Sequence, residues 1–162
     1  MSPETEQLGP LVLIAPLLVI MALHDLKNLK ISNILVLILL FTFLLSAPFY
    51  LSFQESMHRF LGALIVFALG AIGFAFRLWG GGDVKAISAL VLFIPSNGLL
   101  HYFNCFAFSM GAGMLIVVSG RHILAYPECS WRAFRPKAGY PMGVSIAMSG
   151  ILWLVISLAI ST

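Results

Sequence analysis

The chain has 162 residues, of which 60% are hydrophobic and 9% charged, with a formal net charge of +3 and a mean hydropathy of +1.03. Soluble domains carry about 25% charged residues, so a soluble domain is excluded, and the length suits one compact membrane bundle. Two cysteines, Cys105 and Cys129, without CxxC spacing, exclude a zinc site of their own and a disulfide framework.

The first residues are acidic (Glu4, Glu6), whereas a secretory signal begins basic. The apolar run after them is therefore expected to be a retained span. Spanning helices need about 20 mostly apolar residues. Six stretches approach that: residues 8–24, 34–53, 60–78, 84–95, 99–120 and 141–160. The expected fold is all-α, a bundle of about six transmembrane helices forming one domain over residues 1–162. The fourth stretch is short, reaching about 18 Å before Pro95-Ser96-Asn97-Gly98 interrupts it. This predicts a recessed helix, or a glycine stretch lying below the membrane surface.

Alternate loops hold Lys27, Lys30, Arg77, Lys85, Arg121, Arg132, Arg135 and Lys137, and the opposite loops hold only Arg59. The positive-inside rule then makes the richer side cytoplasmic and puts both termini outside. Residues 121–140 form the longest loop, mixing basic residues with Tyr126, Trp131, Phe134 and Tyr140. That mixture fits the lipid headgroup layer.

Of the six acids, Glu4 and Glu6 fall in the tail, Glu55 in an outer loop and Glu128 in the long loop. Asp25 and Asp83 remain, each at the cytoplasmic end of a span and each opening an Asp-x-Lys pattern, "DLK" and "DVK". Ionisable residues at membrane depth are costly and suggest function. Two carboxyls sharing a site can hold one proton between them, so that one activates water while the other polarises a carbonyl. Such hydrolysis needs no metal, cofactor, serine or cysteine. Asp83 opens a helix and Asp25 closes one, which assigns the ionised role to Asp83 and the proton to Asp25. Gly80, Gly81 and Gly82 precede Asp83 and are expected to admit a substrate backbone or unusual dihedrals. The plainer reading makes Asp83 a helix-capping residue after a turn. Lys27 and Lys85 are expected to tune the carboxylates or meet headgroups. His24 abuts Asp25 and reads as an interfacial residue more readily than as a relay. Gly111, Gly113, Ala147 and Gly150 permit close helix approach.

With both aspartates in view, the chain resembles the type IV prepilin leader peptidases, intramembrane aspartyl proteases of the GxGD type. "GGGDVKAISAL" is similar to the family's second aspartate segment, "DLKNLKISN" to its first, and "YPMGVSIAMSG" to its closing segment. The sequence departs from the family at Ser32, where proline is common, and at Met142, where an aromatic is common. The resemblance implies Asp25 and Asp83 as catalytic residues and a pilin precursor as substrate, cleaved after a glycine at the cytoplasmic face of the inner membrane. Longer members carry a methyltransferase domain with paired CxxC motifs. This chain has neither, so it resembles the short CpaA/TadV-like branch serving Flp pili. The lipid bilayer is the other expected partner, and no nucleic acid is expected. The competing readings are a small proton-coupled transporter with the aspartates as proton carriers, and a non-catalytic assembly subunit.

Overall fold

The computed structural model describes residues 7–124 and 129–161, so Glu4, Glu6, Tyr126 and Glu128 lie outside the described residues. Six helices follow in chain order: α1 (Gly9–Asn28), α2 (Asn33–Tyr50), α3 (Phe53–Ala75), α4 (Gly81–Val91), α5 (Leu99–Leu124) and α6 (Met142–Ser161). Short 3-10 turns lie at Ser96–Gly98 and Arg132–Phe134, and no strand occurs among the described residues. The all-α expectation holds. All helices but α4 are long and apolar enough to cross a membrane.

Local chemistry sets the helix boundaries. Pro10 sits in the first turn of α1, where its missing N–H costs nothing. Ser32 and Ser52 cap α2 and α3, accepting from the N–H of Ile34 and Glu55 at 3.2 Å each. The Ser52 cap starts α3 seven residues before the apolar stretch at residue 60. Glu55 and Arg59, expected in an outer loop, are therefore in the first turns of a helix.

α4 is 11 residues long, about 16 Å at 1.5 Å per residue. Its chain nevertheless traverses the bundle alongside α3. Gly70 of α3 faces Val84, Gly62 faces Val91, and Glu55 binds Ser96 beyond the helix end. The segment Leu92–Pro95 completes the passage without regular helix, and Leu92, Phe93 and Ile94 are buried in protein. Irregular backbone is tolerated at membrane depth where protein surrounds it. The recessed helix anticipated from the sequence is thus a short, central one.

α4 packs against α2, α3 and α6, while α6 packs against α1 and α5. Small residues allow this: Ala86 and Ala89 are buried on α4, and a Cβ at Gly150 would lie 2.7 Å from Leu18 and 3.2 Å from Leu90. Large apolar side chains such as Leu44, Leu69, Leu115 and Ile160 face outward. That arrangement suits a lipid surround, in which outward apolar groups are not a defect.

Candidate active site

The ends of α1, α4 and α6 meet around a cavity of about 250 Å³. Asp25, Asp83, Gly80, Gly82, Asn33, Tyr140 and Met142 are among the residues lining it. Asp25 comes from the last turn of α1 and is only 2% exposed, while Asp83 comes from the first turn of α4 and is half-buried. The two side chains are near enough to interact electrostatically. No lysine or arginine pairs with either, since the one ion pair found among the described residues is Glu55–Arg59. Among those residues, no three His, Cys, Asp or Glu side chains gather as a metal site would need.

Asp25 accepts a hydrogen bond of 2.7 Å from the backbone N–H of Gly143, in the first turn of α6. A helix N-terminus offers unpaired N–H groups to an anion. Only glycine fits here, because a Cβ at Gly143 would stand 2.8 Å from Asp25 Oδ2 and 2.9 Å from its Cβ. Asp83 also lies at a helix N-terminus, its own, with Gly80 as the capping residue. A Cβ on Gly80 would come within 2.6 Å of Asp83 Oδ2. Each aspartate therefore sits against a helix N-terminus and a glycine. The sequence contrast that put the proton on Asp25 loses its basis, because the partner of Asp25 lies 118 positions away on α6.

The glycine run acts differently from the expectation of unusual dihedrals. No glycine among the described residues has positive φ. Gly81 and Gly82 are already helical; Gly82 lies close to the backbone of Ile31, and Gly81 faces the Phe74 ring and does not line the cavity. What this run provides is close approach, not backbone freedom. Lys27 is exposed and does not line the cavity. Lys85 points toward α2, where its Nζ donates to Asn33 Oδ1 at 3.3 Å. The His24 ring meets the carbonyl of Lys30 at 3.0 Å, holding the turn after α1.

The sequence makes Tyr140 an interfacial aromatic and the first residue of the family-like closing segment, without giving it a role. Its hydroxyl bonds Ser145, whose own proton goes to the carbonyl of Ser109 at 3.1 Å, so Tyr140 is the donor. Burial pushes the Tyr140 hydroxyl up from its ordinary value, and the Ser145 bond offsets part of this. A Cβ at Gly113 would lie 2.5 Å from that hydroxyl, so Gly113 is the space into which Tyr140 fits. In the long loop, Arg121 donates to the carbonyls of Ala133 and Gly139 at 2.7 and 2.6 Å, and Arg135 to that of Cys129 at 2.8 Å. These arginines, expected to face lipid, brace the segment that carries Tyr140.

A sequence model of the type IV leader peptidase family matches residues 12–118, well over half of the chain. The chain belongs to that family. The matched stretch contains both aspartates and ends before Tyr140 and Gly143. No curated protein and no solved structure matches. Family and helices together make this a multi-pass membrane protein of the leader peptidase class.

Proposed function

We propose that this leader peptidase is an aspartyl endopeptidase that removes the basic leader from pilin precursors, with Asp25 and Asp83 acting as one catalytic pair. The observation that carries the reading is the shared cavity: two carboxyls from separate helices, with no cation paired to either. The pair holds one proton. The ionised carboxylate takes a proton from a water molecule, whose oxygen attacks the scissile carbonyl carbon. The protonated carboxyl donates a hydrogen bond to the carbonyl oxygen as charge develops there. Collapse of the tetrahedral intermediate breaks the C–N bond, and a carboxyl proton passes to the leaving amine.

Gly143 N–H and the N-terminus of α4 hold the two carboxyls in place, and Gly80 and Gly82 keep the cavity wall low for a substrate backbone. The charge bias of the loops supports placing the cavity on the cytoplasmic side of the inner membrane.

The test is co-expression with a pilin precursor, with processing read by gel shift for wild type, Asp25→Asn and Asp83→Asn. The proposal expects wild-type processing and none by either variant. Equal processing by both variants would contradict it. A wild type that leaves the precursor intact would favour the transporter or assembly-subunit readings.

A further inference from the structure

α2 and α3 are joined only by Leu51 and Ser52, yet they hardly touch along their lengths, and each leans on α4 instead. Between them lies an apolar groove of about 430 Å³ whose walls include Leu37 of α2, Leu64 and Phe67 of α3 and Ala89 of α4. Leu37 and Leu64 are 63% and 53% exposed, so the groove opens outward from the bundle. Its polar residues are few, and Asn33 and Lys85 meet at one end. Asn33 also lines the cavity that holds Asp25 and Asp83. Groove and cavity therefore adjoin through Asn33, whose partner Lys85 lies two residues along α4 from Asp83.

We infer that this groove receives the apolar helix of the precursor during cleavage. The inference rests on the peptidase reading above and adds to it where the substrate lies. A precursor cut between a basic leader and an apolar helix has its helix beginning next to the scissile bond. The helix must therefore lie in the bilayer within a turn or so of the dyad, and the groove opens at that level. With the scissile bond at the dyad, the leader lies on the cavity side and the helix, which is apolar, enters the apolar trough. Exposed apolar walls that meet only lipid in the resting state then gain a shape-matched partner, which supplies van der Waals packing in the bilayer.

The test uses the full chain in membranes, with Cys105→Ser and Cys129→Ser, and a precursor carrying one cysteine in the first turns of its apolar helix. Asp83→Asn keeps the precursor uncut. Leu37→Cys and Leu64→Cys are expected to form disulfides with it, and Leu115→Cys, outward on α5 and 70% exposed, is not. In the cleavage-competent enzyme, filling the groove with Leu37→Trp and Leu64→Trp should raise KM for the precursor at least about tenfold with kcat little changed, the pattern of lost binding. Leu115→Trp should change neither. Equal crosslinking at Leu115, or no crosslinking in the groove while wild type processes the precursor, would show a groove filled by lipid alone and overturn the inference. A wild type unable to process the precursor would defeat the peptidase reading, and this inference with it.

Discussion

At the end of the bundle that holds Ser96, Glu55 and Arg59 form a 2.8 Å ion pair, with Arg59 1% exposed. Glu55 also accepts from the N–H and hydroxyl of Ser96 at 2.9 and 2.7 Å, and Arg59 donates to the carbonyl of Gln7 at 3.2 Å. At the opposite end, Asp25 and Asp83 face one cavity with glycines and helix N-termini around them, and although Lys30 also lines it, no cation pairs with either acid. Burying a charge is costly in either place. One end offsets much of that cost within the fold, tying α3 to the start of α1 and to the turn before α5, although Arg59 Nη1 has no hydrogen-bond partner among the described residues. The other leaves two acids with unsatisfied capacity beside a space large enough for water. The contrast separates a structural clamp from a chemical site more sharply than burial alone could.

Mutations at the two ends should therefore change different quantities. The largest change is expected at the clamp. Arg59→Met removes the cation beside Glu55, which is partly exposed and keeps its Ser96 bonds, so the loss is expected at the low end for a buried pair, about 3 kcal/mol. Thermal unfolding in detergent should show the loss, with kcat of the folded fraction unchanged. Adding Glu55→Gln should restore part of the stability, and a fall in kcat with stability intact would blur the contrast. Next is Gly143→Ala, whose methyl must displace Asp25. A misplaced catalytic group costs about 100-fold in kcat, and the unfolding temperature should change little by comparison. Gly111→Ala is the control, since a Cβ there meets nothing within 4 Å. The smallest effect is expected for Tyr140→Phe, which removes one hydrogen bond to Ser145. One such bond is worth about 1 kcal/mol, so kcat should fall about fivefold with KM unchanged.

Much of the bundle was legible because apolar length in a membrane chain is a local signal. The short α4 was legible from Pro95-Ser96-Asn97-Gly98, and the two aspartates stood out because acids are scarce here. The errors came from long-range partners. Nothing near Arg59 in sequence reveals that Gln7 accepts from it and that Ser96 holds its partner Glu55, so it read as a loop residue. Gly143 looked like part of a helix start, and its role as the donor to Asp25 depends on α6 packing against α1. Of the two roles expected of the glycines before Asp83, unusual dihedrals are absent among the described residues, and it is their small size that the structure uses. Lys85 lies near Asp83 in sequence but bonds Asn33 of α2 and does not line the cavity.

The central claim is that Asp25 and Asp83 act as one unit on one water molecule. It is tested most directly by single-turnover cleavage of a pilin precursor by purified wild type, Asp25→Asn, Asp83→Asn and the double variant. Residues that act as a unit lose nearly everything on the first substitution. The account predicts a loss of at least about 10³-fold for each single variant and no further loss in the double. A double variant slower than either single by the product of their separate effects, or a single variant cleaving at the wild-type rate, would contradict it.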